Sequence, residues 1–220
     1  MNNATFFFNQ PKNEPVFSYA KGSKERDLLS KELEKQYNQC IEIPIIINGK
    51  EIRTGNVSEV VMPTEHSHVL AKFHKADKET VQKAIEAALE ARKKWENVHW
   101  IDRCSIMLRA AELLAGKYRY VINAATMLGQ GKNPFQAEID SACETIDFLR
   151  FNVHYASKIY AQQPLSDNSA INRLEYRGLE GFVYAISPFN FTSIACNLNI
   201  SPVLMGNVTV WKPATTAVLS

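Results

Sequence analysis

What this sequence lacks narrows it first. None of its apolar runs is long enough to span a membrane, which takes about 20 consecutive residues. It has no basic stripe of the kind that marks nucleic-acid binding, since 25 lysines and arginines are balanced by 23 aspartates and glutamates. Its four cysteines, Cys40, Cys104, Cys143 and Cys196, are scattered without a CxxC or metal-ligand spacing. They read as reduced, mostly buried thiols of an intracellular protein. His66 and His68 share one strand face, but no third ligand accompanies them, so no metal is expected. Met1–Ala20 holds one lysine, one glutamate and no arginine, unlike an arginine-rich targeting presequence. No internal repeat is present. What remains is a 220-residue chain, 45% hydrophobic, able to bury a real core in one or two domains.

The most informative stretch is Gly178–Ser220. Phe182–Ile186 (FVYAI) is a short apolar run bounded by Gly181 and Pro188, the pattern of a strand buried on both faces. Ser187-Pro188-Phe189-Asn190-Phe191 breaks it, because proline lacks a donor and fixes φ. A short helix follows, then Gly206-Asn207 as a turn and Val208–Trp211 (VTVW) as a second buried strand ended by Lys212-Pro213. Two strands joined through a helix make a βαβ unit, and open α/β sheets bind ligands at the carboxyl ends of their strands. Asn190 and Lys212 each fall just past such an end.

Upstream, Met1 to about Tyr19 reads as a mobile arm, and Lys24–Gln39 as a charged surface helix. Ile45–Ile52 (IIINGKEI) predicts a hairpin, since Asn48-Gly49 suits a type I′ turn. Val57–Met62 and His68–Phe73 are strand-like. Asp77 is placed to cap a helix with apolar positions Val81, Ala84, Ile85, Ala88, Leu89 and Trp95. Ile101–Ala115, stopped by Gly116, and Tyr118–Leu128, ended by Gly129-Gln130-Gly131, are two more. Asn133-Pro134 caps a long fourth helix, with Glu138 and Asp140 near its positive end. Its seam runs Phe135, Ile139, Ala142, Ile146, Leu149, Val153, Ala156. After the polar loop Gln162–Ser169, Ala170–Arg177 alternates as a half-exposed edge strand suited to pairing with another subunit.

Each candidate for chemistry has a plainer reading beside it. Asn190 is either a turn asparagine serving local backbone or a fixed N–H donor, useful because an amide donates without titrating. Lys212 is either a solvated lysine leaving a strand or a cation on a ligand rim. Glu144 lies off the apolar seam, on a face with Phe148, Phe151 and Tyr155, either exposed or set to bind a cation. Gly129-Gln130-Gly131-Lys132-Asn133-Pro134 lacks the third glycine of a dinucleotide fingerprint and reads as a turn. Cys196, six residues after Asn190, reads as a packed thiol rather than a nucleophile.

ISPFNF followed by MGNVTVWKP resembles the aldehyde dehydrogenase superfamily, and GLEGFVYAISPFNF, QAEID and DFLRFN are similar to its mitochondrial glutamate γ-semialdehyde (pyrroline-5-carboxylate) branch. The likeness runs from about Asn13 to Ser220. It implies an α/β fold: the N-terminal part of such an enzyme, with a helical bundle, the start of a Rossmann-like NAD-binding domain and β-hairpin or flap strands for oligomerisation. Four regions follow: 1–40, arm and surface helix; 41–161, strands and helices of the NAD-binding domain; 162–178, the oligomerisation flap strand; 179–220, the start of the Rossmann-like sheet. The resemblance makes Asn190 the oxyanion donor and places Ser187 and Lys212 at NAD, with Lys212 on the adenosine ribose. It sets Glu144 on the substrate's α-ammonium and Phe191 on its aliphatic part. It further implies oxidation of glutamate γ-semialdehyde to glutamate, a homodimer, and the mitochondrial matrix, with the cytoplasm as alternative.

The family's nucleophilic cysteine and general-base glutamate lie downstream of the WKP motif, and no residue here matches them. The 220 residues alone are therefore expected to be inactive. Another aldehyde as substrate, or a non-catalytic chain that associates with full-length subunits, stay open at this point.

Overall fold

Ser23 opens the first helix, α1 (Lys24–Tyr37), its hydroxyl accepting the Arg26 N–H at 3.2 Å. The chain is described from Phe6 to Ser220 in a computed structural model; Met1–Thr5, the tip of the expected arm, lie outside the described residues. The rest of that arm is not mobile but pinned. The Glu14 N–H donates to Asp147 at 2.8 Å, the Phe17 N–H to Glu138 at 2.9 Å and the Tyr19 hydroxyl to Glu138 at 2.6 Å. Tyr19 adopts a left-handed φ of 51°, uncommon for a bulky residue, and its ring is buried beside Leu29 of α1.

Five strands follow: β1 (Ile41–Ile43), β2 (Ile45–Ile47), β3 (Lys50–Ile52), β4 (Val57–Met62) and β5 (Glu65–His74). β2 and β3 form the predicted hairpin, and both turn residues take positive φ, 51° at Asn48 and 71° at Gly49. β5 is central in a three-stranded sheet, parallel to β1 and antiparallel to β4. His68 stacks on Tyr37, ring centroids 4.0 Å apart, and its Nε2 meets the Tyr37 carbonyl.

Helices α2 (Lys78–Trp95), α3 (Trp100–Ala115) and α4 (Arg119–Gln130) match the periodicity closely. Asp77 caps α2 through the Thr80 N–H at 2.8 Å. Gly116 ends α3, though with φ −110° rather than a left-handed cap. α4 continues two residues beyond expectation, to Gln130, and it is Gly131, at φ 66°, that terminates it. The long fourth helix is three segments end to end: α5 (Pro134–Ala137), a π-helical turn (Glu138–Cys143) and α6 (Glu144–Tyr160). The wider turn shifts the register. Ala142, Ile146, Leu149, Val153 and Ala156 of the predicted seam are buried against α3, while Phe135, before the turn, stays 57% exposed. Glu138 and Asp140 do not lie exposed at a helix start; both are buried.

The expected edge strand Ala170–Arg177 carries no ladder. Among the described residues no strand pairs with it, and side chains stand in: Gln163 accepts the Leu174 N–H at 2.8 Å and Ser166 accepts the Asn172 N–H at 2.9 Å. The final unit is β6 (Val183–Ile186), α7 (Thr192–Leu204) and β7 (Thr209–Lys212), then a 3-10 turn, Thr215–Ala217. β6 and β7 are parallel, with Ile186 opposite Lys212, so the βαβ reading holds. Burial on both faces does not. Ala185 is buried, but its neighbours Tyr184 and Ile186 remain exposed: α7 packs on the pair, while α2 touches β7 and leaves an open cavity lined by Val81, Ile85, Trp95, Tyr184 and Val210.

Candidate functional site

The site lies where β6 gives way to α7. Pro188 ends the strand, and the turn Ser187–Phe191 leads straight into α7 with Phe191 as its cap residue. Phe191 supplies no capping side chain. Asp140, from the π-helical turn, does so instead: its Oδ2 accepts the Thr192 N–H and its Oδ1 the Ser193 N–H, each at 3.2 Å. A carboxylate there also complements the positive end of the helix.

Asn190 is exposed, and among the described residues its side chain makes no hydrogen bond. Its backbone, by contrast, is held. The Lys132 ammonium donates to the Asn190 carbonyl at 2.6 Å and to Asp140 Oδ2 at 2.5 Å, and lies 4.4 Å from the Phe191 ring centroid. Phe191 is partly exposed beside it. Glu144, the first residue of α6, is half-buried and accepts the Ser193 hydroxyl at 2.7 Å. The same hydroxyl is 3.0 Å from Asp140. The face predicted for Glu144 is present, with the Phe151 and Tyr155 rings 6.5 Å apart along it. Asn190, Phe191 and Glu144 thus gather around the α7 N-terminus.

Ser187 and Lys212 lie at the carboxyl end of the β6–β7 pair. The Ser187 N–H donates to the Lys212 carbonyl at 3.3 Å, and the Ser187 hydroxyl accepts Trp211 Nε1–H at 3.1 Å. Lys212 is the last residue of β7 rather than one beyond it, and its exposed ammonium has no partner among the described residues. The thiols are not activated. Burial pushes Cys104 and Cys196 up to about 11, and burial, then the Glu138 carboxylate, pushes Cys143 up to about 12. Cys40 is exposed, against the expectation of mostly buried thiols.

Lys132, Asp140 and Ser193 were not legible as site residues. Lys132 sat within Gly129–Pro134, read as a turn, of which only residues 131–133 lie outside a helix. The available signal was that Gly131 ends one helix and Asn133 begins the next, so a lysine between them has a fixed backbone. Asp140 gave no signal, because only the π-helical turn aims it at α7.

A parallel βαβ unit with an unengaged amide and ammonium on its carboxyl rim is the ligand-binding architecture of an open α/β protein. Residues 51–220 match the aldehyde dehydrogenase family, and the chain belongs to it. It is 52% identical over 219 residues to a delta-1-pyrroline-5-carboxylate dehydrogenase of Agaricus bisporus, covering 99% of this chain and 40% of that protein. With the mitochondrial protein of that name from Homo sapiens it shares 51% over 208 residues, 94% of this chain and 37% of the other. A crystal structure of the delta-pyrroline-5-carboxylate dehydrogenase from Mycobacterium tuberculosis superimposes with a TM-score of 0.96 at 46% identity, covering 99% of this chain and 41% of that one. The same enzyme bound with NAD gives 0.95, again at 46% identity, over 98% and 41%. The chain therefore spans about two-fifths of the length of these relatives.

Proposed function

We infer that this chain supplies the oxyanion donor, part of the substrate pocket and part of the cofactor rim of an NAD-dependent enzyme that oxidises glutamate γ-semialdehyde, formed from pyrroline-5-carboxylate, to glutamate. The carrying observation is that Asn190 and Glu144 meet at one helix N-terminus, the first with its amide unengaged and the second half-buried. Attack of a thiolate on an aldehyde puts negative charge on the carbonyl oxygen, and a fixed amide N–H stabilises that charge in a water-poor site. Glu144 pairs with the substrate's α-ammonium by a charge-assisted hydrogen bond, and Phe191 covers the aliphatic carbons. In this reading the attacking thiol comes from the portion of such enzymes that these residues do not span: burial holds Cys104, Cys143 and Cys196 neutral, and Cys40, exposed ahead of β1, is not among the residues gathered at the α7 N-terminus. In this reading the 220 residues are inactive alone.

The rim fits NAD: Lys212 presents an unpartnered ammonium to ribose hydroxyls, and Ser187 lies beside it at the strand end. When bound, the nicotinamide accepts the hydride. The residues of this chain bind and orient, and Asn190 polarises the carbonyl. The mitochondrial names of several relatives support that compartment for the enzyme. Leu165 and Ile171, 93% and 85% exposed on the unladdered segment, favour its pairing with a second subunit as a homodimer.

The test is substrate selectivity of the whole protein. Glu144→Ala should depress semialdehyde oxidation far more than oxidation of a simple aliphatic aldehyde. Equal losses on both remove Glu144 from the pocket and the amino-acid semialdehyde from the assignment.

A further inference from the structure

The geometry points to Lys132, seated on Asp140, as the positioning residue that aims the Asn190 amide. This rests on Asn190 being the oxyanion donor, as proposed above. A preorganised donor must be aimed before substrate arrives, and the Asn190 side chain touches nothing that aims it. What the fold fixes is its backbone, and with it the direction of the Cα–Cβ bond that carries the amide. Three groups along the backbone from Asn190 to Ser193 are anchored from outside: the Asn190 carbonyl by Lys132, the Thr192 N–H and the Ser193 N–H by Asp140. Lys132 joins the two anchors, since one ammonium binds both the carbonyl and Asp140 Oδ2.

Lys132 is itself fixed from both sides. Gly131, at φ 66°, closes α4, and Asn133 forms a reciprocal capping box with Gln136 at the start of α5. The neighbouring Gln130 amide donates to the Thr192 hydroxyl at 2.8 Å, so the end of α4 grips the start of α7 a second time. An ordinary surface ion pair would have none of this support.

The pair also reaches Glu144. Ser193 has one hydroxyl proton and two carboxylates within range, Glu144 at 2.7 Å and Asp140 at 3.0 Å. The shorter contact favours Glu144, and Asp140, which already accepts from Lys132 and two backbone N–H groups, is the weaker acceptor. Without Lys132, Asp140 competes for the proton.

The experiment uses the whole protein with Lys132→Met, which keeps side-chain length and removes both donations. A misplaced catalytic group of this kind should lower kcat by about 10- to 100-fold on a simple aliphatic aldehyde, and by at least as much on glutamate γ-semialdehyde, where Glu144 is disturbed as well. NAD binding, followed by fluorescence titration, should stay within about twofold, and Lys132→Arg should return kcat to within about threefold of wild type, a pattern that lost folding does not produce. A Lys132→Met enzyme with wild-type kcat overturns the inference, as does a loss that tracks melting temperature and NAD affinity together. If the methionine variant does not fold, Lys132→Gln decides, because it keeps a donor too short to bridge both partners; wild-type kcat there overturns the inference and a lowered kcat with normal NAD binding supports it. A wild-type protein that oxidises neither aldehyde removes the function proposed above instead. Crystal structures of wild type and variant then still decide the positioning role: a displaced Asn190 side chain supports it, and superimposable turns overturn it.

Discussion

The cluster around Arg119 and the rim around Asn190 are both polar, but they use their polar atoms differently. Arg119 is 1% exposed and Glu138 wholly buried. The guanidinium binds Glu138 and Glu14, donates to the Pro15 carbonyl at 2.7 Å, and lies 3.8 Å from the Phe17 ring centroid. Glu138 also accepts from Tyr19, Asn123 and the Phe17 N–H. Burial alone would raise the Glu138 carboxyl, but the bonds from Arg119, Tyr19 and Phe17 outweigh it and hold the group below the usual carboxylate range. On the rim, Asn190 and Lys212 are exposed, with side chains unengaged among the described residues. A buried charge needs partners supplied by the fold, whereas groups awaiting a ligand must leave theirs open. The first cluster locks the arm to the helices; the second, in the function proposed above, is left open for a ligand.

The largest test of this contrast is Arg119→Met. Breaking a buried ion pair leaves Glu138 uncompensated and should cost about 3–5 kcal/mol of stability. It would be read as a lower unfolding midpoint and faster proteolysis of the arm. A midpoint close to wild type would show the cluster to be no lock. Next comes Asn190→Ala, expected to raise the activation barrier by about 2.7–4 kcal/mol, a loss of ~10²–10³ in kcat, with unfolding unchanged. Turnover within a few-fold of wild type, where chemistry limits, removes it as the donor. Lys212→Met should weaken NAD by about tenfold, for the loss of one hydrogen bond from a charged donor worth roughly 1.5 kcal/mol, without moving the unfolding midpoint. Isothermal titration that finds equal affinities would take Lys212 off the cofactor.

The smallest effect is a pH slope. The folded Glu138 pKa lies below its ordinary value of 4.5, so its stabilisation is present above that pH and fades as pH falls through the folded value. In Glu138→Gln, less stable at neutral pH, this part of the acid slope should vanish. Parallel melting curves against pH for the two proteins would show that Glu138 is not titrating.

Much of the architecture was legible because it depends on local rules. Asn48-Gly49 demands its hairpin, Asp77 its helix start, and the stripe Ile146, Leu149, Val153 its buried face. The misses share a cause in contacts distant along the chain. Tyr19 looked like the end of a mobile arm because its partners, Asn123 and Glu138, lie more than a hundred residues away. Ala170–Arg177 alternates like a strand, yet alternation forms no ladder without a neighbour. The extra residue per turn at Glu138–Cys143 leaves no mark in composition, and it alone carries Asp140 to α7.

The sequence by itself determined the β2–β3 hairpin, the bounds of α2 and α3 to within a residue, and the parallel pairing of β6 with β7, and it singled out Asn190, Lys212 and Glu144 as candidates. Hydrophobic period and turn chemistry act within a few residues, so they can be read in one dimension. Only the tertiary structure decided which charges are consumed and which are left open. Lys132, Asp140 and Glu138 look alike in composition as turn or helix-end charges. Their roles follow from burial, and burial is set by where the chain folds back to supply a partner.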